Sequence, residues 1–249
     1  MNSTEKTAAL LKLLGQAPYI HSVTELGEKI GCSKSGTFKI LASLMQSGFI
    51  SQTAEHKYTL GPVTYILGKT YEEHIGLSKM VKPYLEHLTA LTGENASFSM
   101  LINGKANLIY REESRYQVRV VGRVGEERPL YAGATGKVLG AFQEEEIIRK
   151  RLMEQPLLPF TERTITSPKA LLEEYEKIRT QGYAISDGEL NIETIGIGAP
   201  IRDSSGNVWA AVSIGAPRMR IDEAKMQRYI FLIQETAEQM TQDILHGNI

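Results

Sequence analysis

Apolar residues recur at helical spacing through the first part of the chain. Leu10, Leu11, Leu13 and Leu14 predict a helix over residues 5–14, stopped at Gly15. Val23, Leu26 and Ile30 predict a second, short helix ended by Gly31, a residue open to positive φ. Ser22-Val23-Thr24-Glu25 reads as its capping box, with the hydroxyl accepting from the N–H three residues on and Glu25 reaching back. Ser33 predicts a fresh N-cap for a helix from about Lys34 to Gln46, with Ile40, Leu41, Leu44 and Met45 on its apolar side. The period then drops to two. Residues 49–52 and 57–60 alternate around a turn at Thr53 to His56, which predicts a two-stranded hairpin. Gly61-Pro62 predicts a boundary, then a connecting helix over 63–74. Residues 77–92 predict a helix burying Val81, Leu85, Leu88 and Leu91, ended by Gly93.

Strand signals follow. Residues 98–102 and 107–111 flank Asn103-Gly104, the signature of a tight hairpin turn, and alternation over 116–122 predicts a third strand. Helices are predicted at 135–141, 144–153 and 167–180, the last with Ser167 as cap, Pro168 in its first turn and Gly182 past its end. Strands at 183–187, 195–202 and 208–215 come next, the last two joined by a turn at Asp203 to Gly206, and Asp222 caps a closing helix to about Leu245. The expected fold class is α+β: residues 1–61 form a small helical domain with a hairpin, 62–76 a linker helix, and 77–249 a mostly antiparallel sheet flanked by helices.

Two short helices around a glycine turn, with a hairpin appended, make a winged helix-turn-helix, a DNA-binding module. Its second helix presents Ser33, Lys34, Ser35, Gly36, Thr37 and Lys39 near its N-terminus as candidate contacts. Thr24 on the preceding helix and His56 and Lys57 near the wing tip complete the candidate set. Net charge agrees once it is divided. The whole chain carries −1, but residues 1–61 hold six Lys and four Asp/Glu, a net of +2, and the remainder a net of −3. So small an excess implies an oligomer, a dimer or a tetramer.

Composition excludes several classes. The chain has 249 residues, room for two modest domains, and lacks a run of apolar residues long enough to span a membrane. No secretory signal opens it, so a cytoplasmic protein is expected, with no membrane partner. One cysteine, Cys32, excludes an internal disulfide. His21, His56, His74, His87 and His246 are scattered without metal-ligand spacing, so neither a metal nor another cofactor is expected. Gly133 to Lys137 lacks the Gly at 131 and the Ser/Thr at 138 that a phosphate loop needs. Its small residues still leave backbone N–H groups at a helix N-terminus, suited to a carboxylate. Asp187 and Glu189 alternate onto one face of a strand and Ser186 onto the other, with no His nearby in sequence to make acid–base catalysis.

Several motifs together carry a resemblance. TELGEKIGCSKSGTFKILASLMQSGFI followed by YTLG resembles the amino-terminal domain of the IclR family of bacterial transcriptional regulators, matching it at Leu26, Gly31, Lys34, Ser35, Leu41, Leu44, Gly48, Tyr58, Leu60 and Gly61. RVGEERPLYAGATGKVLGAF, QGYAISDGEL and GIGAPIRDSSGNVWAAVSIGAP resemble, in order, that family's GAF-like effector domain. The resemblance implies that Gly133, Ala134, Thr135 and Gly136 line an effector pocket, their backbone anchoring an anion. It also implies polar contacts from Ser186, Asp187 and Ser213. Departures accompany it. Gly36, Phe38 and Lys39 stand where the family often has Thr, His and Arg, and Lys39 lacks the fork with which Arg grips guanine. Gly196 and Gly215 stand where Cys and Ser are common, which implies a roomier pocket for an acid larger than two or three carbons.

The expected function is transcriptional regulation: binding operator DNA, under control of a small organic acid, without enzymatic activity. The rival is a small-molecule-binding protein or an enzyme with a vestigial helix-turn-helix. Against an enzyme stands the absence of a nucleophile–base pair, a metal cluster or a cofactor fingerprint in the sequence.

Overall fold

A computed structural model describes residues 1–245; His246 lies outside the described residues. The chain forms two compact units, Met1–Leu77 and a second from Ser78 onward.

In the first unit, α1 (Ser3–Leu14), α2 (Val23–Lys29) and α3 (Lys34–Gln46) enclose Leu10, Leu14, Leu26, Ile30, Leu41, Leu44, Ile50 and Tyr58. Their ends follow local chemistry. Asn2 and Ser22 each form a complete capping box, with Glu5 and Glu25, and Ser33 accepts from the Gly36 N–H. Such caps stabilise by about 1 kcal/mol each. Strands β1 (Ile50–Gln52) and β2 (Tyr58–Leu60) pair antiparallel as the wing, and His21 bridges to Tyr58. Helix α4 (Pro62–Ile75) starts on a proline, ends on left-handed Gly76 and buries none of its residues. Two apolar assignments need correction: Met45 is exposed and Ile40 half-buried, because α3 turns its narrower Thr37, Leu41, Leu44 stripe inward.

The second unit is built on six antiparallel strands in the order β5-β4-β3-β8-β7-β6. They are β3 (Asn95–Ile102), β4 (Lys105–Glu112), β5 (Glu127–Arg128), β6 (Ala184–Asp187), β7 (Thr194–Arg202) and β8 (Val208–Pro217). Asn103 and Gly104 both take positive φ, as the β3–β4 turn requires. One face of the sheet is apolar: Ala96, Phe98, Val212, Ile214, Ile197 and Ala199 are buried there. Helix α9 (Glu223–Leu245) packs on β7 and β8, and α5 (Leu77–Thr92) reaches α9 through hydrogen bonds from Tyr84 to Asp243 and from Tyr229 to the Thr92 carbonyl. Val81, Leu85 and Leu88 of α5 are buried as expected, but Leu91 is exposed, because the inward stripe continues from Leu88 to Thr89 and half-buried Thr92 and leaves position 91 on the outer side.

On the opposite face lies α6 (Ala134–Ala141), every residue of which is buried, with α8 (Pro168–Gln181) packed against it and α7 (Glu145–Glu154) alongside. Glycines allow this approach. A Cβ on Gly136 would sit 2.2 Å from the Pro129 carbonyl oxygen, and one on Gly140 2.2 Å from the Tyr175 hydroxyl.

The third strand expected over 116–122 does not form; β5 at Glu127–Arg128 takes the sheet's outer edge instead. The carbonyls that a strand would offer to a ladder are taken by side chains. Val118 accepts from Arg220, Val120 from Asn95 and Gly122 from Arg111, while the Arg220 guanidinium lies over the Tyr116 ring. The alternation in this stretch therefore marks a segment strapped down at every second carbonyl rather than a paired strand.

Candidate functional sites: a winged helix and a cationic cavity

On the first unit, Lys34, Ser35 and Lys39 are exposed on α3, Thr24 on α2, and His56 and Lys57 on the wing, where His56 takes positive φ. Ser33 is exposed but committed to its cap, and Gly36 is half-buried with its would-be Cβ 2.8 Å from Cys32 Sγ. Thr37 is not a surface residue. It is fully buried, its hydroxyl donating to the Ser33 carbonyl at 3.0 Å and lying 2.9 Å from where a Cβ on Gly27 would be. Thr37 fixes the packing of α3 on α2 and is removed from the candidate contacts. Phe38 replaces it on the outward face at 58% exposure, a position that α3's helical phase assigns and that its apolar character disguised.

On the second unit a cavity opens between the polar face of the sheet, the first turn of α6 and the strapped segment. Strand register arranges its floor. Arg111, Ser97 and Ser213 pair successively across β4, β3 and β8, and Asn95, Gly215, Gly196 and Ser186 form the next row across β3, β8, β7 and β6. Two arginines, Arg111 and Arg128, line the cavity, and among the described residues no Asp or Glu does. Arg111 is 7% exposed, and its Nε has no hydrogen-bond partner among the described residues.

Two stretches of the chain match the known domains in order. Residues 3–54 match the IclR helix-turn-helix domain, and residues 69–242 match the bacterial transcriptional regulator IclR C-terminal domain. The chain belongs to the IclR family of bacterial transcriptional regulators. The IclR-family regulator KdgR of Escherichia coli K12 is 30% identical over 242 residues, 97% of this chain and 92% of the relative. A crystal structure of the Thermotoga maritima IclR protein superposes with a TM-score of 0.72 at 28% identity, covering 98% of this chain and 99% of the other. The fold is matched more closely by an IclR regulator from Silicibacter sp. TM1040, with a TM-score of 0.90 at 22% identity over 98% of this chain and 96% of that one.

Against this IclR frame, the residues expected in the pocket divide. Gly133, Ala134, Thr135, Ser186, Gly196, Ser213 and Gly215 all line the cavity. Gly136 does not; it packs against Pro129 beneath the helix. Asp187 turns outward instead and pairs with Arg163 at 3.1 Å and with Arg218. Nor do Asp187 and Glu189 share a strand face, because the chain leaves β6 at Gly188, whose φ is +76°. Glu189 is buried: its Oε1 lies 2.5 Å from Lys137 Nζ and its Oε2 accepts from the Gly133 N–H at 3.0 Å. Lys137, 1% exposed, also donates to Glu174 and to the Ile185 carbonyl. The backbone donor expected to anchor an anion at Gly133 thus already holds the protein's own carboxylate.

Arg111, Arg128, Asn95, Ser97 and Ser99 were not singled out in the sequence. Their signal was present: Asn95, Ser97 and Ser99 alternate with buried Ala96 and Phe98, a polar row at strand period beside an apolar one. A second ion pair also escaped notice. Glu94, 2% exposed, is gripped by Arg220 through two bonds of 2.7 and 2.6 Å, which raise the arginine's pKa and pin the strap to the body of the unit.

Proposed function

We propose that this IclR-family regulator binds operator DNA through α3 and the wing, as a cytoplasmic homo-oligomer, and that a small organic acid in the cavity adjusts that binding. The observation that carries the acid is the cavity's charge: two guanidiniums and, among the described residues, no carboxylate. Burying the Arg111 guanidinium with only the exposed Glu113, 3.6 Å away, as its carboxylate partner is costly, and an anionic ligand offsets that cost. The acid would act by binding one arrangement of the protein better than another, shifting operator affinity by that difference alone. The test is titration of candidate acids against operator affinity; a response equal for acids and for their neutral analogues would overturn the reading.

Oligomerisation is supported by α4, where Tyr65, Ile66, Leu67, Tyr71 and Ile75 are each at least half exposed, more apolar area than a solvated helix needs. We expect a dimer or tetramer on a pseudo-palindrome with half-sites about 10–11 base pairs apart, or a multiple of that. Sedimentation at micromolar concentration, free and on operator, decides this, and a monomer in both would refute it.

Lys57 is exposed at the wing. Lys57→Ala should weaken all DNA sequences about equally and reduce the salt slope of binding by about one unit. A changed base preference with an unchanged slope would remove the wing from the phosphate contacts.

A further inference from the structure

The exposed side of α3 carries one aromatic ring among polar groups. Phe38 is 58% exposed in the second turn, while Thr37, Leu41 and Leu44 face the core of the first unit. Its neighbours three and four positions away on that surface are Lys34, Ser35 and Ala42, all exposed, and Lys39 follows it directly. A lone exposed ring is ordinary on a protein surface, so its surroundings decide what it is for.

Those surroundings are cationic. Helix α3 contains no Asp or Glu, and its two lysines flank the ring, one toward each side of the exposed face. A second copy of the chain docked symmetrically here would set these lysines against their own counterparts, which opposes such a contact. The surface fits instead a polyanion with an apolar feature between its charges. The major groove of DNA has that form: phosphates line both walls, and the floor offers one apolar group, the C5 methyl of thymine.

Hydrogen-bond reading by this helix is limited. The Ser33 hydroxyl is engaged in the cap and the Thr37 hydroxyl donates to the Ser33 carbonyl, which leaves Ser35 and the two lysines. Phe38 itself can neither donate nor accept. Against the polar edge of a G·C pair it would strip water and return nothing, whereas against a thymine methyl both partners bury apolar area.

We propose that Phe38 is a specificity residue that reads thymine in the operator half-site, its ring lying against a C5 methyl. This rests on the reading of α3 as the helix that enters operator DNA.

Duplexes that the full-length protein selects from a random-sequence library supply the probe. Replacing each thymine of the recovered half-site in turn by deoxyuracil removes one methyl and leaves every hydrogen-bonding group of the base edge in place. At one thymine per half-site the wild type is expected to lose about three- to fivefold in affinity per half-site, the worth of one buried methyl. Phe38→Ala should bind the thymine and deoxyuracil duplexes alike and select sequences relaxed at that position. Phe38→Leu, which keeps an apolar group there, should keep part of the methyl sensitivity. Equal sensitivity in the wild type and Phe38→Ala, or a wild type indifferent to every methyl, would overturn the thymine contact and leave α3 in the groove. A smaller oligomer for Phe38→Ala on sedimentation would assign the ring to a contact between copies and overturn it as well. A wild type that selects no sequence and binds DNA without salt dependence would overturn this proposal and the operator-binding reading together.

Discussion

Lys137→Met is expected to cost the second unit about 3–5 kcal/mol of stability, because it removes one partner of a buried charge cluster and strands the rest. Lys137 Nζ lies 2.7 Å from Glu174, 2.5 Å from Glu189 and 2.6 Å from the Ile185 carbonyl, with only 1% of its side chain exposed. Three donors meet three acceptors, so methionine, which matches the stem, supplies none of them. Glu189 would then be left buried on the Gly133 N–H alone, and the turn that starts α6 would loosen with it. The measurement is equilibrium denaturation followed by the fluorescence of Trp209, the only tryptophan, which lies in β8. Glu189→Gln in the same chain should recover part of the loss, since the two groups share one network. A loss below about 1 kcal/mol for Lys137→Met would mean that water reaches the cluster and compensates the carboxylates.

Elements set by neighbours in sequence could be read from the chain; those set by distant partners could not. The Ser22 capping box, the Ser33 cap, the Asn103-Gly104 turn and the Ser167, Pro168, Gly182 frame of α8 each depend on a few consecutive residues, and each occurs where the sequence places it. The stretch 116–122 has a strand's alternation, but its carbonyls were claimed by Asn95, Arg111 and Arg220, the last of these some hundred positions away. Thr37 looked like a surface hydroxyl in a polar run, and only its bond to the Ser33 carbonyl and its contact with Gly27 bury it. Lys137 carried a phosphate-loop signature without the flanking residues, and its two acids lie 37 and 52 residues further on. In the cavity, small residues were informative because their smallness is what leaves the space open. The charged residues were not, since Arg111 among some twenty-eight basic residues has no local mark of burial.

Filling the cavity from its floor should change what it binds without unfolding the protein. Gly196 and Gly215 are register partners on β7 and β8, and both line the cavity. A Cβ at Gly196 would meet the Ala134 Cβ at 3.4 Å, and one at Gly215 would meet Val120 at 3.7 Å, both ordinary contact distances. Neither position needs the left-handed backbone that favours glycine, so Gly196→Cys with Gly215→Ser should shift stability by no more than about 1 kcal/mol. The added Sγ and Oγ have nowhere to project except into a space of about 90 Å³. The natural acid should therefore bind at least about tenfold more weakly, the scale of an overpacked site, while a smaller acid is retained. Operator affinity without an acid should persist, because α3 and the wing belong to the other compact unit. Titrating acids against operator affinity for the wild type and the double variant decides it. The same acid acting at the same midpoint on both proteins would show that these glycines do not touch the ligand, and the site would have to lie elsewhere.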